Sequence, residues 1–136
     1  MIDPLLNKIL RLPLALAAKP LIRFGIMADQ VTIFGFILGI MAVPAIMNQQ
    51  FTLALILILL NRLCDGLDGA VARQTHTSDA GGFLDISLDF IFYSAIVFAF
   101  IVSHPEQNAI AGSLLMLSFT ATGSCFLAFA IMASKH

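Results

Sequence analysis

Residues 51–74 read FTLALILILLNRLCDGLDGAVARQ, and the two halves of this stretch suit different solvents. Phe51–Leu60 is apolar apart from Thr52. The second half meets Asn61, Arg62, Asp65, Asp68 and Arg73. No proline falls between 61 and 73, and Gly66 and Gly69 are isolated, so nothing breaks a helix decisively. The stretch reads as one helix, 51–74, whose far half is polar on one face. Residues 74–82 (QTHTSDAGG) follow as a polar loop ending in two glycines. Phe83–Ser103 then resumes an apolar run that carries Asp85 and Asp89.

Outward from this centre the chain keeps the same character. Val31–Met47 is an apolar run about long enough to cross a bilayer, and Asn48, Gln49 and Gln50 make an uncharged turn after it. His104–Asn108 is a second short turn, and 109–134 is a further apolar run. The expected spans are therefore 31–47, 51–74, 83–103 and 109–134. Residues 1–30 differ: Leu5, Leu6, Ile9, Leu10, Leu12 and Leu14 are interleaved with Lys8 and Arg11, and Pro13 and Pro20 interrupt the pattern. Apolar stripes with Lys and Arg between them suit the headgroup boundary. The fold class is all-α integral membrane, an N-terminal amphipathic interfacial helix plus about four transmembrane helices in a single membrane domain, 1–136.

Composition agrees. The 136 residues are 60% hydrophobic and 11% charged, against roughly 25% charged in a soluble domain. An ordinary soluble domain and a disordered chain both fit poorly. The net charge of −1 offers nothing to nucleic acid. Cys64 and Cys125 sit in apolar stretches without metal spacing and read as small buried hydrophobes. No cleavable signal peptide is expected. With the N-terminus in the cytoplasm, four spans put the turns 48–50 and 104–108 outside, and neither holds Lys or Arg. Every basic residue (Lys8, Arg11, Lys19, Arg23, Arg62, Arg73, Lys135) then lies at the cytoplasmic end, as the positive-inside rule asks. The expectation is a multi-pass protein of the inner (cytoplasmic) membrane, with its acidic residues at the cytoplasmic face.

Those acidic residues are the chemical signal. Residues three and four apart share a helix face. Asp65, Asp68 and Ala72 line one side of their helix, with Gly69 and Arg73 beside them, while Gly81, Asp85 and Asp89 line one side of the next. A short connection makes the two helices antiparallel, so the carboxylates should face each other across a narrow gap. A mid-membrane Asp costs about 2.5–3.5 kcal/mol on insertion scales, and neighbouring ones also repel. One arginine cannot neutralise four carboxylates, whereas divalent cations can. Hard oxygen donors suit Mg²⁺, Mn²⁺ or Ca²⁺, and a pair of Mg²⁺ ions can clamp a phosphoryl group. Asp79 reads instead as a solvated loop acid and His76 as a solvated loop histidine. Arg62 could pair with Asp65 or reach for the headgroups.

At these residues the sequence resembles the CDP-alcohol phosphotransferase family (CDP-alcohol phosphatidyltransferases), whose signature is D-x2-D-G-x2-A-R, a spacer, then G-x3-D-x3-D. Asp65, Asp68, Gly69, Ala72, Arg73, Gly81, Asp85 and Asp89 occupy its fixed positions, across a spacer, 74–80, that is one residue shorter than usual. Ala28-Asp29-Gln30-Val31-Thr32 is similar to the family's entry to its first span. The resemblance implies that a substituted phosphate passes from a CDP-alcohol to an acceptor alcohol with release of CMP, in phospholipid biosynthesis. It implies a two-metal site of Mg²⁺ or Mn²⁺, with Asp65, Asp68 and Asp85 holding the first ion and Asp89 sharing the second. Asp89 would be the general base, Gly69 would admit the nucleotide, Arg73 would contact the diphosphate, and Thr32 would join the nucleotide pocket. The expected donor is CDP-diacylglycerol, with another CDP-alcohol as the alternative. The acceptor alcohol is not readable, membrane lipids surround the site, and a homodimer is expected. Family members usually have six spans, so four imply a frame lacking two C-terminal helices.

Two other readings compete. In an ion or proton transporter the carboxylates would be spread through the membrane depth, whereas here they gather at one end. An inactive or truncated partner subunit of the same family would keep the motif without turnover. A soluble diphosphate lyase with Asp-rich helices is opposed by the mean hydropathy of +0.98.

Overall fold

The computed structural model describes residues 3–133, and these form five helices with no strand among them: α1 (Asp3–Arg23), α2 (Ala28–Met47), α3 (Phe51–Gln74), α4 (Asp79–Ser103) and α5 (Pro105–Ala133). Ser134, which closes the last expected span, and Lys135, which enters the orientation argument, lie outside the described residues. So do the side chains of residues 3–10, Lys8 among them.

The helices begin where capping chemistry allows, ahead of the apolar runs. Ser78 caps α4 by accepting the Gly81 N–H at 3.0 Å. Asp79 therefore stands in the first helical turn, where a negative charge meets the positive end of the helix dipole. The expected loop 74–82 shrinks to 75–78, with Gln74 closing α3 and Gly81 and Gly82 inside α4. At α5, Pro105 takes the first helical position, which has no use for the N–H that proline lacks. Pro13 and Pro20 do not split α1, which runs unbroken to Arg23. The chain then turns through Gly25 at φ +73.

α2 is the spine. It packs along both α3 and α4, while α3 and α4 make little backbone approach to one another. Glycines let it come close: a Cβ at Gly35 would sit 2.6 Å from the Cys64 Cβ, and one at Gly39 would sit 2.7 Å from the Phe92 ring. Beyond them a small apolar core of Ala42, Ala45, Ile46, Ala54, Leu57 and Ala99 joins α2, α3 and α4. Small side chains at helix contacts are how helices associate in lipid, where no hydrophobic force drives them together. α1 lies against the polar half of α3 through Ala18, Ala70 and Val71, with Leu14, Leu21 and Ile22 around them. Among the described residues α5 leans chiefly on α4.

Three helices are long and apolar enough to cross a membrane: α2, α4, and α5 over Pro105–Met132. About four were expected. The 24-residue α3 has the length, roughly 36 Å at 1.5 Å per residue, and is set apart by the charges in its second half. Large side chains such as Phe34, Ile37, Met41, Leu55, Ile91, Phe126 and Phe129 point outward, as a lipid solvent permits.

Candidate active site

The hairpins at 48–50 and 75–78 reverse the chain twice, so the early residues of α2, the late residues of α3 and the early residues of α4 meet at one end. Asp65, Asp68, Asp85 and Asp89 all line one cavity there, with Thr32, Gly35 and Asn61 completing the wall. The four carboxylates singled out by spacing are thus brought together. The space between them, open on one side, is about 10 Å³, roughly the room one water-sized species needs.

Each acid is held differently. Asp68 is 4% exposed and accepts the Thr32 hydroxyl at 2.6 Å. That hydroxyl also lies 3.1 Å from the Ala28 carbonyl, one helical turn back. Asp89 is gripped from two sides. Arg62 donates from Nη2 to Oδ1 at 2.6 Å and from Nη1 to Oδ2 at 3.4 Å, and the Tyr93 hydroxyl donates to Oδ2 at 2.8 Å. Asp65, with its side chain 36% exposed, meets Arg62 only at 3.7 Å. The Asp85 carboxylate makes no hydrogen bond or ion pair among the described residues. Arg62 is therefore the one basic side chain ion-paired with this cluster among the described residues, and it takes the acid 27 positions away in preference to the near neighbour suggested by sequence.

A second pocket adjoins the first and shares Thr32, Asp68 and Asp85 with it. Gly69, Ala72, Gly81 and the loop residue His76 form more of its wall. Gly69 and Thr32 thus sit together beside the acids. Arg73 does not join them. It lines a groove between α1 and α3 with Arg11, Arg62, Leu14 and Asp65. Eleven residues make about three helical turns, so Arg62 and Arg73 stack on the same face of α3. Arg73 bends back over Gly69, where an added Cβ would lie 3.1 Å from its Nη1.

The donors are of the kind a hard cation takes, carboxylates plus a hydroxyl, around an ion-sized space. In charge and chemistry they fit a divalent ion. They are not drawn to a point: among the described residues, no three acidic, His or Cys side chains stand close enough to share one ion. Asp89 in particular is turned to Arg62 and Tyr93.

Two residues of the network escaped the sequence reading. Asn61 accepts from Arg62 Nε at 2.9 Å and Nη2 at 2.7 Å, and donates to the Gly35 carbonyl at 2.9 Å. Tyr93, the chain's one tyrosine, sits four residues after Asp89 on the same face of α4. A polar residue where an apolar run ends, and a hydroxyl one turn from an acid within an apolar helix, were the available signals.

Comparison with known proteins places this arrangement. The chain is 51% identical over 135 residues to the inner membrane protein YnjF of Escherichia coli K12, covering 99% of this chain and 62% of that protein. It is 38% identical over 87 residues to an archaetidylinositol phosphate synthase of Pyrococcus horikoshii, covering 63% of this chain and 46% of that protein. The chain thus spans less than two thirds of the length of either relative. No solved structure matches it. The family profile for CDP-alcohol phosphatidyltransferases matches residues 25–135, the stretch from the Gly25 turn through α2, α3, α4 and α5, and so the chain belongs to the CDP-alcohol phosphatidyltransferase family.

Proposed function

We propose that the protein transfers a substituted phosphate from a CDP-alcohol, CDP-diacylglycerol in the first instance, to an acceptor alcohol, releasing CMP at the cytoplasmic face of the inner membrane. The observation that carries this is the single cavity walled by all four motif aspartates, with Gly69 and Thr32 in the pocket that opens beside it. A CDP-lipid keeps its tails in the bilayer and its nucleotide at the surface. That geometry suits a site at one end of the helices, with α3 as the fourth span. Carboxylates confined to one end do not suit a transport path through the bilayer.

Asp65, Asp68 and Asp85 would hold one Mg²⁺ or Mn²⁺, and Asp89 would share a second. Such ions supply neutralisation of the charge on the diphosphate and on the departing phosphate. The residues of the chain do the rest. Thr32 fixes Asp68 through its hydroxyl. Gly69 puts no side chain of its own between the nucleotide pocket and the Arg73 guanidinium that lies over it. Arg73 reaches for the diphosphate from the adjoining groove, a task its planar fork suits. Asp89 takes the proton from the acceptor hydroxyl. The acceptor oxygen bonds to the phosphorus that carries the lipid alcohol, and the bond from that phosphorus to the CMP oxygen breaks. Holding acceptor and phosphorus in line supplies much of the acceleration. The protein acts as a homodimer in this reading.

The test is CMP release by the purified protein in lipid nanodiscs, with CDP-diacylglycerol and a panel of alcohols and phosphorylated alcohols, with Mg²⁺ and with EDTA. Metal-dependent CMP formation with at least one acceptor is expected. No CMP with any acceptor, from protein that still binds CDP-diacylglycerol, would favour the inactive-partner reading.

A further inference from the structure

Arg62 is fixed far more firmly than a membrane-surface arginine needs to be. Asn61 Oδ1 accepts two of its N–H groups at 2.9 and 2.7 Å, and Asn61 is itself tied to the Gly35 carbonyl on α2. The Tyr93 hydroxyl accepts Nη1 at 2.8 Å. The guanidinium carbon lies 5.1 Å from the ring centres of both Phe92 and Tyr93. Everything in this cage aims the cation at Asp89, and Tyr93 adds its own proton to the same carboxylate. None of Arg62, Asn61 and Tyr93 belongs to the motif that identifies the family.

The fork spans the space between two compartments. Asp89 faces the acidic cavity, while Arg62 also lines the groove toward α1, beside Arg11, Leu14, Leu59 and Leu63. That groove gives a long side chain somewhere to go when it lets Asp89 loose.

Building on the proposed metal site, we propose that Arg62 is an internal counter-cation that holds Asp89 until a divalent ion takes its place, with Asn61 and Tyr93 orienting it. Arg62 and the ion then compete for one carboxylate. Asp89 is a metal donor and proton acceptor only after the guanidinium has swung toward the groove. Arg62 is a positioning residue, and it sets the metal concentration at which the site assembles.

The sign of its effect separates this role from a structural one. A salt bridge that merely ties α3 to α4 would, when removed, loosen the site and weaken metal binding. A competitor, when removed, leaves metal binding tighter while the metal-free protein loses stability, because Asp89 keeps its charge with only the Tyr93 hydroxyl and no cation beside it. The experiment is a Mn²⁺ titration of the full chain in nanodiscs, read as loss of the free-ion electron paramagnetic resonance signal. It is run on wild type, Arg62→Gln, Arg62→Lys, Tyr93→Phe and the site control Asp85→Asn. Half-saturation for Arg62→Gln is expected at about tenfold lower Mn²⁺ than for wild type, equivalent to ~1.4 kcal/mol. Arg62→Lys should fall between, because it keeps the charge without the fork. Tyr93→Phe should shift a few-fold in the same direction.

Unchanged or weaker binding in folded Arg62→Gln overturns the proposal while leaving the metal site standing. If Arg62→Gln does not fold, the milder Tyr93→Phe decides by the same criterion. Wild-type protein that takes up no Mn²⁺, or takes up as much as Asp85→Asn does, overturns both this proposal and the metal reading beneath it.

Discussion

Gly35→Ala puts the scaffold of the site to a quantitative test. The added methyl would lie 2.6 Å from the Cys64 Cβ, 3.6 Å from its Sγ and 3.7 Å from the Asn61 carbonyl oxygen. Carbon atoms in contact settle at about 3.5–4.0 Å, so α2 and α3 must part by roughly 1 Å here. The Cβ of Cys64 is anchored to its backbone and cannot rotate away. A shift of that size also stretches the 2.9 Å bond from Asn61 to the Gly35 carbonyl beyond useful length. Overpacking costs about 1–3 kcal/mol. Losing one buried hydrogen bond adds about 0.5–1.5 kcal/mol. The expected loss is therefore about 1.5–4.5 kcal/mol, read by SDS-driven unfolding in mixed micelles with helical circular dichroism. The rescue is specific. Cys64→Ala keeps the offending Cβ and should restore nothing, whereas Cys64→Gly in the Gly35→Ala background should recover most of the loss. Stability of Gly35→Ala within about 0.5 kcal/mol of wild type would refute the close α2–α3 contact, and equal rescue by Ala and Gly would refute its assigned cause.

Three further tests address the site and the topology. Thr32→Val removes the 2.6 Å hydrogen bond to buried Asp68 and should cost about 1.5–3 kcal/mol in the same assay, while Thr32→Ser retains most of it; equal losses in both would deny the hydroxyl its role. Asp89→Asn should lower CMP release by about 10²–10⁴-fold with CDP-diacylglycerol binding preserved, and a near-normal rate would remove Asp89 as proton acceptor. A cysteine introduced by Gln49→Cys should react with an impermeant maleimide only from the periplasmic side, and labelling from the cytoplasm would invert the topology.

The sequence made the helices and the composition of the cavity legible for a simple reason: both are set by local periodicity. Spacings of three and four put Asp65 with Asp68, and Asp85 with Asp89, on shared faces whatever the neighbouring helices do. What depends on how whole helices cross was out of reach. Local spacing offered Arg62 either Asp65 or the headgroups; it does meet Asp65, at 3.7 Å, but its short 2.6 Å contact is with Asp89 on another helix. Arg73 holds a fixed position of the motif, yet it lines the groove against α1 and not the cavity of the acids, which depends on where α1 packs. α4 and α5 start earlier than their apolar runs, because Ser78 and Pro105 begin the helices before the apolar residues arrive.

The same geometry explains how four carboxylates come to share so small a space. Two unit charges 4 Å apart repel by about 4 kcal/mol at an effective dielectric of 20, so two acidic helix faces left to themselves would drift apart or repack with their acids turned outward. Here α3 and α4 do not have to attract each other. Each is fastened to α2, with Gly35 and Gly39 allowing the close seat and the alanine-rich core locking the far end. Their acidic halves are thereby held face to face by contacts made elsewhere. Among the described residues a single guanidinium, that of Arg62, offsets part of the resulting charge, gripping Asp89 at 2.6 Å and reaching Asp65 at 3.7 Å. The uncompensated remainder is a standing attraction for any cation that reaches Asp65, Asp68 and Asp85. It is set up in the packing of uncharged helix surfaces, before any ligand arrives.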